Sequence, residues 1–395
     1  LASPASGVIE DVFVEEGQTV AVDERILSIR VKPDDGAIRR KEPATRRSAV
    51  LSKRTSEMSE KTTSQISTAV PARATPVYIS GVASSLGSRT IHNETLLKSF
   101  PDWSTQDVIK RIGIESRKWI GEGESALTLA LAACTSLFEK LPVGFEDISA
   151  IVCSTGTPIS ASPSMACEIL TALAGNRSDK LVQAFDINAA CSGYLYGLQV
   201  AHDMIQSSLQ SHVLLVTTEV LSPLLNLQDQ STVFIFADAA TATLISSSPL
   251  AAKSARVKRP VLSAKGDVAR TLSIPFIGGA AAFITMEGVE VAIEAGKGMS
   301  FILTEACSRV GLTPNDLDLV IPHQANKRIL AAVQRRLNLP EGKVYTNLKD
   351  IGNTSSSTIP ICLDHVLPRM EPESRIGLVA FGAGFTFGAA ILETV

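Results

Sequence analysis

A cysteine, a histidine and an asparagine stand in contexts that could support nucleophilic chemistry, and they are Cys191, His323 and Asn353. Cys191 follows an apolar run that ends at Ile187 and opens a segment with helical periodicity that continues to about Gln206. A thiol at the start of a helix faces unpaired backbone N–H groups and the positive end of the helix dipole, which favours the thiolate. A single buried cysteine is more often a packing residue, so the nucleophile hypothesis depends on partners elsewhere in the chain.

The partners lie in two other segments. Of the five histidines, only His323 follows a strand-like apolar run and a proline, at a strand-to-helix corner where α/β enzymes place reactive groups. Asn353 lies in the polar segment 351–357, for which a simple helix-capping loop is the alternative. The segment 380–388 is rich in glycine and lets backbone N–H groups approach a reacting oxygen, although such turns are common.

The composition indicates a soluble globular enzyme. The 395 residues are 45% hydrophobic and 19% charged, which suits two or three domains, or one large duplicated α/β body with an appendage. No apolar run is long enough to span a membrane and the N-terminus lacks a signal-peptide pattern, so we expect a cytoplasmic protein. Six scattered cysteines without a CxxC pair argue for a reducing compartment, with neither a disulfide framework nor a zinc site.

The net charge of −3 conceals an asymmetry. Residues 37–75 contain nine Lys or Arg and three Glu, a net charge of +6, which leaves −9 for the rest of the chain. Because the body is acidic, nucleic acid is not an expected partner. The stretch 32–75 is rich in Ala, Pro, Ser, Thr and Arg without a hydrophobic period, and we predict a disordered basic linker there.

From residue 76 onward, short apolar runs alternate with segments of helical periodicity. The predicted strands are 77–79, 150–155, 183–187, 213–217, 233–236, 241–246, 317–321, 377–381 and 387–392. The predicted helices include 124–139, 164–174, 191–206, 299–310 and 325–337. Continuous apolar strands are typical of sheets buried on both faces, so the pattern predicts parallel-sheet layers covered by helices.

Residues 1–31 alternate like short strands at 7–14, 19–22 and 26–29. They resemble the second half of a lipoyl or biotinyl carrier domain, a small all-β module. In that family the modified lysine lies on a hairpin before this point, and Lys32 is not in its position. The visible residues therefore do not support a lipoyl or biotinyl modification. A vestigial module and a working swinging arm are alternatives that stay open.

Four segments resemble the β-ketoacyl-ACP synthase III family of the thiolase superfamily. They are DINAACSGYLYGL (186–198), VIPHQANKRI (320–329), IGNTSSSTIP (351–360) and AFGAGFTFG (380–388). The resemblance spans residues 76–395 and implies an α/β, thiolase-like, duplicated αβαβα five-layer fold. One half, 76–248, would carry the cysteine, and the other half, 249–395, would carry the histidine and the asparagine.

The resemblance also implies an activity and partners. It implies an acyltransferase that performs a decarboxylative Claisen condensation in fatty-acid or specialised lipid or polyketide biosynthesis. The enzyme would be a homodimer that works with an acyl carrier protein and binds neither nucleic acid nor membrane. It would need no cofactor and no metal, since its substrates are acyl groups on the phosphopantetheine of a carrier protein or of coenzyme A.

In that family, the residue that matches Cys191 attacks an acyl thioester and holds the primer as a covalent thioester. The resemblance gives His323 and Asn353 the role of hydrogen-bond donors to the carbonyl of a malonyl-type extender as CO2 leaves. Neutral donors suit an oxyanion in a dry, preorganised site. The backbone N–H groups of Cys191 and Gly384 would form the oxyanion hole for acyl transfer.

Two departures from the family pattern bear on the substrates. Members that use coenzyme A stack its adenine between a Trp and an Arg, and the matching positions here are Asp107 and Gln230. This favours a carrier-protein donor, although Trp103 lies only four residues before Asp107. Ser162 replaces a bulky residue that, in members of the family, reaches into the primer pocket of the partner subunit. A smaller residue there would admit a longer or branched acyl chain, unless a neighbouring side chain refills the space.

Basic residues give a further expectation. Arg328, Arg335 and Arg336 fall on one face of the helix that follows His323, where the family docks its acidic carrier protein. A solvated basic face is the ordinary meaning of such spacing, but a basic stripe on an acidic body favours a docking site. Arg111 keeps the basic position of the family's RTGI motif and is a candidate for binding substrate phosphate.

Other functions remain as alternatives. A second condensation would give a ring, as in dialkylresorcinol-type ketosynthase/cyclases. The chain could also be a non-catalytic carrier or interaction subunit, although a scaffold has no need of three matched polar groups. A biosynthetic thiolase is weaker, since it would carry a second cysteine near the glycine-rich loop, and a hydroxymethylglutaryl synthase relative is weaker too.

Overall fold

The computed structural model describes residues 7–12, 27–31, 75–175, 180–207, 210–267, 270–277 and 280–395. The strands are β1 Gly7–Val12, β2 Leu27–Val31, β3 Tyr78–Leu86, β4 Arg89–His92, β5 Ser116–Trp119, β6 Ala150–Ser154, β7 Gln183–Ile187, β8 His212–Glu219, β9 Ala239–Ser246, β10 Ala255–Val257, β11 Val261–Ala264, β12 Leu272–Ser273, β13 Phe276–Ile277, β14 Ala280–Ala281, β15 Thr285–Met286, β16 Leu319–Pro322, β17 Arg375–Gly382 and β18 Thr386–Thr394. The helices are α1 Asn93–Leu97, α2 Thr105–Arg111, α3 Ala126–Lys140, α4 Met165–Ala174, α5 Gly193–Gln206, α6 Gly288–Ser308, α7 Lys327–Arg336, α8 Leu348–Ile351 and α9 Thr358–Val366.

One large mixed sheet organises the described residues from 75 onward. Its strand order is β16-β17-β18-β10-β3-β9-β8-β6-β7, with β11 beside β18. The pairs β16·β17, β6·β8 and β6·β7 are parallel, and the other pairs are antiparallel. The sheet is therefore mixed, where continuous apolar runs alone predicted parallel layers. The two expected halves, 76–248 and 249–395, share this sheet through β10, which pairs with both β3 and β18.

The strand arrangement repeats between the halves. In each half a parallel pair, β6·β8 or β16·β17, is followed by an antiparallel partner, β9 or β18. Helices α5 and α9 share a core with strands of both halves. Helices α3 and α4 cover the other face of the first half, and α6 and α7 cover that of the second. If each half of the sheet is counted as one layer, helix, sheet, helix, sheet and helix form the five layers that the resemblance implied.

The alternation of side chains along each strand explains this layering, because successive residues point to opposite faces of a sheet. In β6, Ala150 and Val152 pack in the central core with α5, whereas Ile151 and Cys153 pack against α3. In β17, the alternate residues Ile376, Leu378 and Ala380 face the same central core, and Val379 faces α6. Strands with two buried faces read as continuous apolar runs, as the sequence shows.

The predicted strand at 233–236 was wrong. These residues are buried, but they form turns that end in a single bridge between Phe236 and Asn353. Two backbone bonds join this part of the chain to Asn353: the N–H of Asn353 donates to the Ile235 carbonyl at 2.9 Å, and its carbonyl accepts from Ala237 N–H at 2.8 Å. The apolar character of 233–236 therefore reflects burial beneath the candidate site and not membership of a ladder.

At the N-terminus, β1 and β2 form an antiparallel two-stranded sheet in which Gly7 pairs with Val31. The predicted strand at 19–22 lies outside the described residues. So does the predicted linker 32–75, which includes Lys32, except for its last residue. All six cysteines are free thiols. None of the described helices is long and apolar enough to cross a membrane.

Candidate active site

Cys191 lies in a sharp turn between β7 and α5. Ala190 has a φ of +47°, residues Ala190–Ser192 form one 3-10 turn, and the α-helix begins at Gly193. The hydroxyl of Thr386, on β18, donates to the carbonyl of Ala189 at 3.0 Å, and the hydroxyl of Ser192 contacts both groups. The turn that presents the thiol is therefore held from the second half of the fold.

Two glycines allow this close packing. A Cβ on Gly382 would lie 2.7 Å from the carbonyl oxygen of Ala189 and 2.9 Å from the backbone nitrogen of Cys191. A Cβ on Gly193 would lie 2.0 Å from the hydroxyl of Ser154. Since Cβ atoms do not approach other atoms this closely, small residues at these positions let β17 and β6 meet the Cys191 turn.

The structure changes the expectation for the Cys191 thiol. The residue is 8% exposed, and burial raises the pKa of its thiol to about 12. A hydrogen bond with Ser355 lowers the pKa and the negative charge of Glu219 raises it, both by less than burial does. Desolvation disfavours the charged form, so the thiol is protonated at neutral pH and must lose its proton during the reaction.

Asn353 is fixed by its own backbone and by Ser355. Besides the two backbone bonds to residues 235 and 237, its Oδ1 accepts from Ser355 N–H at 2.8 Å. This bond fixes the orientation of the amide, and Nδ2 is the atom of the side chain that can donate to a bound molecule. The side chain is 4% exposed, so this donor lies in a nearly dry position.

His323 follows the last residue of β16, and its N–H donates to the Val379 carbonyl at 2.8 Å. Its Nδ1 lies 2.7 Å from the hydroxyl of Thr358. Burial lowers the pKa of His323 to about 3, so the ring is neutral at physiological pH. The helix after it, α7, begins only at Lys327, with Asn326 as its N-cap. His323 therefore lies in the loop before the helix.

Ser355 connects the three residues. It has a φ of +52°, and its hydroxyl side lines one cavity together with Cys191. Its N–H donates to Oδ1 of Asn353, and its carbonyl oxygen lies 3.2 Å from the Thr358 hydroxyl. The same hydroxyl contacts His323, so segment 353–358 contacts His323 and Asn353 and lines a cavity with Cys191, although His323 and Asn353 do not line that cavity themselves.

The cavity at Cys191 is small and apolar. Its volume is about 60 Å³, room for about two water molecules. Its lining residues are Ala190, Cys191, Leu221, Phe236, Leu272, Ser273, Ile274, Ile284, Ser355 and Ala383. The glycine-rich turn thus contributes Ala383 to this cavity, whereas the predicted Gly384 is not among the lining residues.

A larger cavity of about 480 Å³ is lined by residues that follow or precede some of these in the chain. Phe236 and Ile284 line the small cavity, and Ile235 and Met286, one and two residues away along the chain, line the large one. The large cavity also includes the predicted residues Arg111, Gln230 and Arg328, together with Trp103 and Asn326.

Trp103 lies four residues before Asp107, the position that matches the family's Trp, and it lines the large cavity. It is stacked with Phe234 at an interplanar angle of 7°, and the Arg111 guanidinium lies 4.6 Å from the centre of its ring. The matching family position, Asp107, instead caps α2 through Ser104. An aromatic surface therefore lines this cavity after all, which weakens the inference from Asp107 against coenzyme A.

The remaining predicted residues lie away from the thiol. Arg328, Arg335 and Arg336 are all exposed on α7, and only Arg328 lines the large cavity. Ser162 is exposed and does not line the Cys191 cavity, so within one chain nothing connects it to the primer. Its neighbour Ala161 lines a separate cavity of about 500 Å³.

Sequence reasoning missed three polar residues of the site: Glu219, Ser355 and Thr358. Ser355 and Thr358 lie in the quoted segment 351–360, where the serine and threonine run was interpreted only as a helix opening. Glu219 is the last residue of β8, which follows from an apolar run. A carboxylate at the end of a buried strand is unusual, and this is the sequence feature that could have identified Glu219 as a site residue.

Two sequence models of one family match the chain. The model of 3-oxoacyl-[acyl-carrier-protein] synthase III matches residues 185–266, and the model of its C-terminal part matches residues 307–394. The first range contains Cys191 and the second contains His323 and Asn353, so the matches cover the site described above.

Similar proteins carry related names. The β-ketoacyl-[acyl-carrier-protein] synthase III of Oleidesulfovibrio alaskensis is 33% identical over 333 residues, which are 81% of this chain and 99% of that protein. That of Rhizorhabdus wittichii is 34% identical over 318 residues, 79% of this chain and 98% of its own length.

Solved structures of proteins with the same name are similar to this chain in fold. The 3-oxoacyl-[acyl-carrier-protein] synthase III of Aquifex aeolicus is 32% identical, with a TM-score of 0.74 over 80% of this chain and 99% of that chain. The corresponding structure from Pseudomonas aeruginosa is 30% identical, with a TM-score of 0.73 over 80% of this chain and 98% of its own.

Proposed function

The chain belongs to the 3-oxoacyl-[acyl-carrier-protein] synthase III family, and on this basis we propose that it is an acyltransferase that performs a decarboxylative condensation. An acyl group held on Cys191 would be joined to a malonyl-type thioester on a carrier protein. The observation that supports the proposal is that segment 353–358 contains the carboxamide, contacts the imidazole through Thr358 and lines a cavity with the thiol through Ser355.

In the first half-reaction, Cys191 Sγ bonds to the carbonyl carbon of the donor thioester. The bond from that carbon to the donor's sulfur then breaks, and the carrier leaves as a thiol. The tetrahedral intermediate needs donors for its oxyanion. We assign this to the backbone N–H of Cys191 and to the turn 382–384, where Gly384 was expected and Ala383 lines the cavity.

In the second half-reaction, the extender loses CO2. The electron pair of the broken carbon–carbon bond becomes an enolate, which attacks the carbonyl carbon of the acyl-cysteine. The bond from that carbon to Cys191 Sγ then breaks, and the sulfur leaves as a thiolate that takes up one proton from solvent. His323 and Asn353 would donate to the enolate oxygen. Their suitability rests on the neutral imidazole, the free Asn353 Nδ2 and the burial of both side chains.

The cavity of about 60 Å³ favours a short primer. An acetyl-sized group fits such a volume, whereas cavities that enclose drug-sized ligands occupy about 300–1,000 Å³. The exposed Ser162 gives no support, within one chain, to the expectation of a long or branched acyl chain.

We propose that the larger cavity receives the pantetheine arm, with Arg111 and Arg328 near its phosphate. The exposed arginines of α7, which are Arg328, Arg335 and Arg336, would dock an acyl carrier protein through charge complementarity. We leave the choice of donor between carrier protein and coenzyme A to experiment, because Trp103 offers a ring in that cavity and Gln230 removes a cation from it.

We also propose a homodimer in which β7 of one chain pairs with β7 of a second. Among the described strands, β7 is an edge that pairs only with β6. Unpaired edges favour association with another strand. The apolar residues Ile159 and Leu181, 48% and 95% exposed, lie in the segments just before α4 and β7.

A condensation assay tests the proposal. The chain, malonyl-carrier protein and a series of acyl donors of increasing length are incubated, and the 3-oxoacyl product is identified by mass spectrometry. We expect product with acetyl donors and a decline with chain length. Absence of product with every donor, on coenzyme A and on carrier protein alike, would contradict the proposed function.

A further inference from the structure

Glu219 is a buried carboxylate next to the candidate site. It is the last residue of β8 and is 1% exposed. Oε1 accepts from the hydroxyls of Ser355 at 3.2 Å and Ser356 at 2.7 Å. Oε2 accepts from Gly156 N–H at 3.1 Å and from the Thr157 hydroxyl at 3.2 Å.

Four neutral donors surround this carboxylate, and none of the ion pairs of the described residues includes it. An anionic carboxylate is costly to bury without a cation, and a like charge also opposes the formation of a thiolate nearby. Its four donors come from two distant segments, 156–157 and 355–356, and the second of these reaches the cavity of Cys191.

The hydroxyl of Ser355 links Glu219 to the thiol. It donates to Glu219 Oε1 and lines the same cavity as Cys191. Ser356 donates to the same carboxylate oxygen but does not line the cavity. The two adjacent serines thus make the same contact with Glu219, and only one of them meets the reacting cysteine.

We propose that Glu219, acting through Ser355, accepts the proton of Cys191 when the thiol attacks the donor thioester. This inference rests on the proposed function. As the Sγ–carbon bond forms, the S–H proton passes to the Ser355 oxygen and the Ser355 hydroxyl proton passes to Glu219 Oε1. When the bond to the departing sulfur breaks, the same path returns one proton to it, so the carrier leaves as a thiol and Glu219 is again a carboxylate.

On this route the negative charge passes from Glu219 to the tetrahedral intermediate as the proton passes the other way, so the site never holds a second ion. Burial raises the pKa of Glu219, which makes it a stronger base than an ordinary carboxylate. His323 is the competing acceptor, but its pKa is lowered to about 3, and protonation would place an imidazolium in a buried position. The imidazole therefore remains neutral and available as a donor in the second half-reaction.

The test separates the two half-reactions. Acylation of Cys191 by acetyl-coenzyme A or acetyl-carrier protein, without extender, is followed by rapid quenching and intact-protein mass spectrometry. Condensation is followed separately, from enzyme that was acylated in advance and freed of donor, after malonyl-carrier protein is added. The variants are Glu219→Gln, Ser355→Ala and the matched control Ser356→Ala.

We expect Glu219→Gln and Ser355→Ala to slow acylation by about 100-fold, the usual contribution of a general base, with little change in the KM for the donor. Condensation from the acylated enzyme should stay within about threefold of wild type, since His323 and Asn353 are intact. Ser356→Ala should also acylate within about threefold of wild type, because it leaves the path through Ser355 in place.

Equal losses in Ser355→Ala and Ser356→Ala, or equal losses in both half-reactions, would show a structural role and overturn the inference. If Glu219→Gln does not fold, as judged by circular dichroism, the comparison of the two serine variants decides. If the wild type is acylated and Glu219→Gln is acylated at the same rate, the relay is overturned but the proposed function is not. A wild type that forms no adduct overturns the proposed function and the relay with it.

Discussion

The Thr358 hydroxyl lies 2.7 Å from Nδ1 of His323 and thereby determines which ring nitrogen faces the substrate. The hydroxyl has one hydrogen and a second acceptor within reach, the carbonyl of Ser355 at 3.2 Å. We assign the hydroxyl hydrogen to the bond with Nδ1, because Nδ1 is the nearer acceptor, and this assignment places the ring hydrogen on Nε2. That is the tautomer that a hydrogen-bond donor to the extender carbonyl requires.

Replacing Thr358 with valine should therefore impair the second half-reaction. Valine keeps the shape of threonine but cannot donate to Nδ1, so we expect condensation from acylated enzyme to fall about 10-fold. Acylation should change little, and Thr358→Ser should restore the rate. Single-turnover kinetics of the two half-reactions check this, and an unimpaired Thr358→Val would exclude a role in fixing the tautomer.

The neutral state of His323 predicts a particular pH dependence. Because its pKa is lowered to about 3, the ring does not gain a proton when the pH falls through the ordinary histidine range. Decarboxylation of malonyl-carrier protein by acylated enzyme should stay level between about pH 8 and pH 5. A loss of rate with a midpoint near the ordinary histidine pKa would contradict the neutral donor.

Glu219 should govern the acidity of the Cys191 thiol. Its negative charge raises the pKa of Cys191, so Glu219→Gln should lower that pKa. The negative charge of Glu219 also raises the pKa of the thiol of Cys153. Alkylation by iodoacetamide, which requires thiolate, should then be faster in Glu219→Gln at a given alkaline pH. Unchanged or slower alkylation would show that the two groups do not interact.

The wall of the small cavity should limit primer length. Ile284 is 3% exposed and lines that cavity, so Ile284→Ala should shift the preferred donor from acetyl toward longer acyl groups. The substitution should cost about 2–5 kcal/mol of unfolding free energy, measured by denaturant titration. Ile205→Ala, in α5 away from the cavity, is a control with a similar stability cost and no expected change in donor preference.

Charge on α7 should control the use of a carrier protein. Arg328→Glu should raise the KM for malonyl-carrier protein about 10-fold and reduce its dependence on salt, because exposed charges mainly affect association. Lys253→Glu, an exposed substitution outside α7, serves as the control for net charge. Equal effects of the two reversals would indicate a general electrostatic effect and no docking site on α7.

Local patterns in the sequence predict much of this fold. The ends of β7 and β16 follow from short apolar runs, and they place Cys191 and His323 correctly after strands. Helix α6 begins at Gly288, eleven residues before the predicted start, because glycines obscure its periodicity. One of them, Gly298, is needed for tertiary packing, since a Cβ there would lie 1.9 Å from the ring of Phe387.

What the sequence cannot show is which distant groups meet. The thiol pKa was misjudged because helix position is a local property, whereas burial of Cys191 depends on the whole site. The contact of Thr358 with His323 spans 35 residues, and that of Ser355 with Glu219 spans 136. Such contacts arise from the packing of α9 against the strands that carry the other groups, which no periodicity in the chain records.

The most direct test of the central claim is intact-protein mass spectrometry after incubation with an acetyl thioester donor and no extender. We expect the mass to rise by one acetyl group, located on the peptide that contains Cys191, and no rise in Cys191→Ala. An acetyl group on any other residue, or an unchanged mass with every donor offered, would contradict the assignment of Cys191 as the nucleophile.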